Sequence, residues 1–530
     1  MRYILAMFPI LVVLGLMIGR RWGTHQAGPV AWITGLLIAG FGFGLTPEVL
    51  RVSQEKALLL SLFVLAVMWP ALFLYHWVDG KGGIIAVARA MERALPNRGM
   101  CLILLAWALS GLLEGLAGFG LPIAVVAPML TALGVRPLTA IAAVAVGHSW
   151  AVTFGDMGVI LQTLVAVVGL EASQIVPWAA LLLGLACLLC GLVTAVLLGE
   201  WRQWPKVVLV ALVMASTQYV LAAAGLVPLS AFGAGLAGIL GYAVFARCRL
   251  GSGRPQQSSP EEHPSALVQP PQELAGTAPA ISLRRAESPL ALALGAYGGL
   301  ALLMATITLL PQPRAWAQSV AWKAQFPAVV SRAGFSTAAA PSQVFRPLAH
   351  PGALILAVAL AGILLGERSA GAVWRAANAA GQATRRSAGA ASLGIIAMVG
   401  LSTLMDHCGM SHLLAQGLSA LFGAGYPLVS PCVGILGAFA TGSNNNSNVL
   451  FGPLQKDVAL MLGTQPELLA AAQTAGGSLG SMLAPAKIVV GCGTVGQFGR
   501  EGEVLRCTVP YGLAIGLAVG LLTLILTRLR

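Results

Sequence analysis

From Tyr3 to Leu526 the chain is a succession of apolar runs, most of them about 16–30 residues long, with almost no charge inside them. A helix needs about 20 such residues to cross a hydrocarbon layer about 30 Å thick. In that layer every backbone N–H and C=O must be satisfied without water, which leaves only helices and closed barrels. A barrel's alternating strands would give far weaker hydropathy than the mean of +0.84 found here. The fold class expected is therefore an all-α polytopic membrane protein. Charged residues make up 9% of the chain and hydrophobic ones 57%, which excludes a soluble globular domain or a disordered chain. The 64 glycines and 30 prolines call for helices that are closely packed, kinked or interrupted.

The net charge of +13 is scattered over short loops and forms no patch with interleaved aromatics, so no nucleic-acid partner is expected. A basic excess is what cytoplasmic loops carry. Cys187 and Cys190 lie one helical turn apart inside an apolar run and read as small packing residues. No cofactor or metal is expected.

The run at 3–18 is followed by Arg20-Arg21 rather than preceded by charge, and reads as a first transmembrane helix, not a signal peptide. The proline-, serine- and glutamine-rich stretch 251–288 cannot bury enough apolar surface to order itself. It divides the chain into an N-terminal membrane half, 1–250, a disordered cytoplasmic linker, 251–288, and a C-terminal membrane half, 289–530. A second long loop, 311–351, carries Trp316, Trp322 and Phe326, which suit a membrane interface.

The halves repeat. Shifted by 329 residues without a gap, Leu133-Gly134 and Pro137 fall on Leu462-Gly463 and Pro466. Ala142-Ala143 falls on Ala471-Ala472, and Gly147-His148-Ser149 on Gly476-Gly477-Ser478. Each repeat has a pair of short runs, 100–135 and 427–463, read as hairpins, and a longer interrupted run, 138–168 and 467–493, read as a broken transmembrane helix. With about twelve crossings in addition to the hairpins, an odd number separates the two repeats, so their topology is inverted. Twenty of the Lys and Arg residues then lie on one face and nine on the other, with Lys456 and Lys487 inside membrane runs. The richer face is expected in the cytoplasm, and both termini outside it.

Four segments break the apolar pattern in mid-run: Glu114–Pro122, Gly147–Gly158, Thr441–Asn448 and Gly476–Lys487. Irregular backbone at membrane depth survives only inside protein or beside a cavity, and half-helix N-termini suit an anion. The candidate substrate contacts are Gly118, Gly120, His148, Ser149, Ser443, Asn444, Asn445, Asn446, Ser447, Asn448, Gly477, Ser478 and Lys487. The candidate proton carriers are Glu114, Asp156 and His148. Glu114 is an intramembrane carboxylate, suited to a proton or substrate role or to a structural hydrogen bond. His148 either titrates or caps backbone groups. Lys487 either meets an anion or an acid, or snorkels to an interface.

Several motifs, Leu113-Glu114-Gly115 with Ala117-Gly118-Phe119-Gly120 and Pro122, Phe154-Gly155 with Met157-Gly158, Trp201-Arg202 with Trp204-Pro205, Thr441-Gly442-Ser443 with Ser447-Asn448, and Gly476-Gly477 with Gly480 and Pro485, give the chain a family likeness. It resembles the L-lactate permease family of 2-hydroxymonocarboxylate transporters, and more distantly the broader ion-transporter superfamily. The resemblance implies a secondary active transporter of the bacterial inner membrane. It would import lactate, glycolate or a similar small anion with protons, by alternating access. Another organic anion, or sodium as coupling ion, is the alternative. It implies no enzyme, a small organic anion, a proton and membrane lipid as partners, and leaves room for a homodimer. The family pattern has an Asp where this chain has Asn444, Asn-Thr at His148-Ser149, Ala at Asp156, Lys at Ser481 and Ser at Lys487. A G-x-S-x-G match at Gly476–Gly480 would need a strand-to-helix turn to serve as a nucleophile elbow, and no strand is expected there.

The basic-residue count makes a topological prediction. A reporter active only in the cytoplasm, inserted near Gln269, is expected to be active, and the same reporter after Arg530 silent. Activity at Arg530 would refute the odd crossing count and with it the inverted repeat.

Overall fold

The computed structural model describes residues 2–20, 22–83, 86, 90, 97–116, 120–250, 289–342, 344–497 and 500–529. The expected linker 251–288 lies outside them. Helix dominates, as the apolar runs require. Among the described residues nine helices are long and apolar enough to cross a membrane. A bent pair, Ala370–Arg386 and Ala391–His407 at 44°, makes a tenth. The chain is a multi-pass helical membrane protein.

That count includes Arg98–Leu116 and Met410–Phe439, which reach into the stretches read as hairpins, so four of the twelve or so expected crossings are missing from it, for identifiable reasons. The expected first helix, Arg2–Gly19, registers only as the shorter apolar helix Arg2–Val13. Helix Pro351–Gly366 has only 16 residues. Helix Thr24–Gly42 opens on the polar Thr24, His25 and Gln26. The segment from Pro466 to Thr494 is divided and carries Gln473, Thr474 and Ser478. Two features are not among the expected runs. Helix Met410–Phe422 is too short to span alone and reaches spanning length only together with the helix that follows it, over Met410–Phe439. Within the loop after helix Pro311–Gln318, two short antiparallel ladders form, Gln325–Phe326 with Ala340–Pro341 and Val329–Val330 with Ser336–Thr337. In that loop Phe326 is buried and Trp322 exposed, as is Trp316 in the helix before it.

Local chemistry sets the helix starts. Thr46 caps helix Pro47–Gly80, its hydroxyl accepting from Val49 N at 3.2 Å, with Pro47 and Glu48 in the first turn. Asn97 caps the next helical stretch, Arg98–Leu116, through Met100 N at 2.9 Å. Pro137 and Pro466, which the 329-residue shift superposes, each open a helix, Pro137–His148 and Pro466–Gly480.

Arg98–Leu116 is buried along its whole length, and a π turn at Leu105–Leu109 re-aims its second half. It leads through Gly120 (φ 87°) into helix Leu121–Ala132. The later hairpin pairs Tyr426–Thr441 with Asn444–Met461 around Gly442 (φ 70°). The interrupted runs are both broken. Pro137–His148 gives way to 3-10 turns and resumes as Val159–Val168. Pro466–Gly480 passes through a 3-10 turn at Ser481–Leu483 and resumes as Pro485–Thr494.

The second halves of the broken helices are exchanged. Pro485–Thr494 packs on Leu121–Ala132 of the first hairpin. Gly491 there lies so close to Ile123 and Ile141 that a Cβ on it would stand 2.4 Å from Ile123. Val159–Val168 packs on Asn444–Met461 of the second hairpin, with Gly452 against Leu164 and Val168. Outside this core, the long helices Pro47–Gly80 and Ala370–His407 lie along each other.

Candidate functional site

The exchange carries Lys487, in the first turn of Pro485–Thr494, across to the first hairpin. Its Nζ lies 3.3 Å from Glu114 Oε1 and 3.5 Å from His148 Nε2. The Glu114 side chain is 1% exposed and that of Lys487 11%; His148 is fully buried. His148 Nδ1 lies 2.8 Å from the Val144 carbonyl oxygen. A carbonyl can only accept, so Nδ1 carries the proton and Nε2 presents a lone pair to the ammonium. Lys487 thus spends two of its three N–H groups on Glu114 and His148. Glu114 Oε2 is buried with no hydrogen-bond partner among the described residues.

The breaks make this approach possible. Gly155 presses on Glu114, and a Cβ there would stand 2.8 Å from the Glu114 carbonyl oxygen. Asp156 (φ 48°) and Met157 (φ 55°) follow in the left-handed region, a conformation costing a non-glycine residue about 1–3 kcal/mol. That turn ends the 3-10 stretch and lets Val159–Val168 start on a new axis. Asp156 is half-buried at this break. A Cβ on Gly120 would stand 3.9 Å from Lys487 Cγ. Gly118 lies outside the described residues.

A second, uncharged cluster lies where the two broken helices meet the second hairpin. Ser478 Oγ donates to the Ser149 carbonyl at 2.6 Å, a contact between residues 329 apart. Thr153 N donates to Ser478 Oγ at 3.2 Å, and Thr153 Oγ1 to the Thr474 carbonyl at 2.9 Å. Asn444 Nδ2 donates to Thr153 Oγ1 and the Thr474 carbonyl, and Asn448 Nδ2 to Thr474 Oγ1 at 2.9 Å. Ser447 Oγ donates to the Gly434 carbonyl and accepts from Gln473 Nε2. Ser443 is the N-cap of Asn444–Met461 without a side-chain cap bond. Gly477 leaves room for Asn444: a Cβ there would stand 2.0 Å from Asn444 Oδ1. Ser149 and Ser478 thus share a hydrogen bond that joins the two halves, whereas Ser447 spends its bonds within the C-terminal half. The side-chain oxygens of Asn444, Asn445, Asn446 and Asn448 are buried without a donor among the described residues.

Thr474, Gln455 and Gln473 are members of this cluster that lie outside the four segments the apolar pattern singles out, and Thr153 lies inside one of them without being among the candidate contacts. Tyr426 Oη and Ser430 Oγ both donate to Gln455 Oε1 at 2.9 Å, and Gln455 Nε2 donates to Gln473 Oε1 at 3.0 Å. The signal for them was two glutamines inside otherwise apolar runs, since a buried amide needs partners.

Residues 2–530 match the L-lactate permease family. The glycolate permease GlcA of Escherichia coli strain K12 is 26% identical, over 98% of this chain and 95% of its own length. The L-lactate permease of Bacillus subtilis strain 168 is 27% identical, over 98% of this chain and 94% of its own length. Among solved structures, the Alcanivorax borkumensis YdaH transporter is 17% identical, covering 90% of this chain and 87% of that chain at a TM-score of 0.47.

The close approach at the second break is testable. A Cβ at Gly476 would stand 1.9 Å from the Pro431 carbonyl oxygen, a backbone atom that cannot swing aside. Gly476→Ala is expected to cost about 1–3 kcal/mol by overpacking and to lower the thermal midpoint in detergent. Gly502→Ala, at a glycine with open space around it, should leave that midpoint unchanged.

Proposed function

Because the chain belongs to the L-lactate permease family over residues 2–530, we propose that it imports lactate, glycolate or a similar small 2-hydroxymonocarboxylate together with protons, by alternating access. The relatives are permeases, and the chain is a transport protein rather than an enzyme. The reading places it in the bacterial inner membrane with both termini outside the cytoplasm, as the distribution of basic residues favours.

One observation carries the coupling: the ammonium of Lys487 is shared between Glu114 and His148 in a buried site. A carboxylate that enters such a site gives up hydration worth many kcal/mol and needs a cation in exchange. With Glu114 ionised, Lys487 is already neutralised, and an incoming anion would leave the site with an uncompensated negative charge. A proton on Glu114 removes that charge and frees Lys487 for the substrate carboxylate, which meets the third N–H and the positive end of helix Pro485–Thr494. Proton and anion then enter together, one of each, with no net charge moved. The inverted arrangement of the halves, on which alternation rests, is supported by the Ser149–Ser478 contact at the same 329-residue spacing as the repeat.

A second reading, sodium coupling, is favoured by the buried amide oxygens of Asn444, Asn445, Asn446 and Asn448 that lack donors, since carbonyl-type oxygens are ligands for a hard cation. Counterflow of labelled lactate and glycolate in proteoliposomes separates the two. Uphill uptake driven by a pH gradient at equal sodium supports the first reading; uptake driven only by a sodium gradient refutes it.

Two substitutions probe the site. Glu114→Gln is expected to abolish uphill uptake and to keep exchange of substrate across the membrane. Accumulation against a gradient in Glu114→Gln would move the coupling proton to His148 or Asp156. Lys487→Ala is expected to weaken apparent anion affinity at least tenfold, about 1.4 kcal/mol, with Lys487→Arg a partial rescue. An unchanged affinity in Lys487→Ala would remove the side chain from the substrate site.

A further inference from the structure

Away from the core, the bent helix Ala370–His407 carries a polar groove. A cavity of about 480 Å³ is lined by Asn378, Gly381, Gln382, Arg385 and Arg386. Gln382 Nε2 donates to Asn378 Oδ1 at 3.4 Å, which holds the amide pair along one side. Gly381 contributes no side chain, so the groove reaches towards the Phe73 ring, 4.0 Å from where a Cβ would stand. Both arginines are exposed, and neither is paired with a carboxylate among the described residues.

The groove sits just before the 44° bend that separates Ala370–Arg386 from the apolar Ala391–His407. Below it, the residues that follow Arg386 at helical spacing are Gly389, Leu393 and Ile396. Gly389 has open space around it, and Leu393 and Ile396 are 50% and 40% exposed. At 1.5 Å per residue the stripe from Arg386 to Ile396 extends about 15 Å, half the thickness of a hydrocarbon core. Beside it Trp69, partly exposed, donates its indole N–H to Ser392 Oγ at 3.0 Å, the placement an interfacial tryptophan takes. A basic groove roomy enough for a phosphate and its substituent thus opens onto an apolar track about one leaflet long.

We propose that this elbow binds an anionic phospholipid, with Arg385 and Arg386 on the phosphate and an acyl chain along Gly389, Leu393 and Ile396. Guanidinium groups match phosphate oxygens in fork geometry. Two arginines without an acid select a headgroup with net negative charge over a zwitterionic one. The apolar track selects a lipid over a free anion. The proposal is independent of the transport chemistry, since the groove lies on an outer helix and shares no residue with the Glu114–Lys487 site.

The test uses the full-length protein purified in detergent, titrated with phosphatidylglycerol and phosphatidylcholine of identical acyl chains and read by native mass spectrometry. The wild type is expected to retain phosphatidylglycerol about tenfold better than phosphatidylcholine. The preference should fall to near parity in R385Q/R386Q and persist in R375Q, which removes an exposed arginine of the same helix outside the groove. L393N should lower retention of both lipids and keep the preference, with all variants checked as monodisperse. Four results would overturn the proposal: no preference in the wild type, an undiminished preference in R385Q/R386Q, an equal loss in R375Q, or displacement of the lipid by inorganic phosphate at equal concentration.

Discussion

Hydrogen-bond satisfaction without water is the constraint on which the rest depends. Two helices stop inside the protein, at His148 and at Gly480, and each stop leaves polar backbone groups with no partner on their own helix. The chain answers by aiming one break at the other. The Ser149 carbonyl and the Thr153 amide both take the hydroxyl of Ser478, and the Thr474 carbonyl takes Thr153 and Asn444. Glycine at 476 and 477 follows from the same demand, since the Asn444 amide and the Pro431 carbonyl occupy the space a side chain would need. The core is therefore a polar seam inside an apolar shell.

The charged group depends on that seam in turn. Because the seam fixes where the second halves of the broken helices begin, it fixes where Lys487 emerges, in reach of Glu114 and His148. Either charge alone at this depth would cost several kcal/mol. Together they lie within ion-pair distance of each other, which offsets that cost.

The breaks themselves are legible in the sequence. Glycines and polar residues clustered in the middle of an apolar run weaken a spanning helix at the depth where it has no water to lean on, so they mark the place where it is interrupted. The glycines from 476 to 480 and Pro485 put the first turn of the last half-helix near Ala486, and the helix begins at Pro485. What the sequence does not convey is which polar side chains are already engaged. Ser149, Ser447 and Ser478 look the same in sequence as residues free to meet a ligand. The Ser478 hydroxyl is engaged by a carbonyl 329 residues away and that of Ser447 by an amide 26 residues away, while the Ser149 hydroxyl turns back onto the Ala145 carbonyl of its own helix. Helix Met410–Phe422 and the small ladders of the 319–350 loop are hidden for a different physical reason. Hydropathy runs detect spanning length, and a 13-residue helix or a two-residue strand has none.

The ion pair joins residues 373 apart in the chain. At about 5–20 residues per second, roughly 20 to 75 seconds pass during synthesis between the appearance of Glu114 and that of Lys487. Throughout that interval the first hairpin has a carboxylate and no ammonium to meet it, and the first broken helix has no second break to close against. The N-terminal half must therefore wait, with Glu114 neutral or with the hairpin held out of the hydrocarbon, until the C-terminal half arrives. Assembly of the core is in this sense a late event of biogenesis, and a nascent chain stalled before residue 487 would present its unfinished polar seam to the quality-control machinery of the membrane.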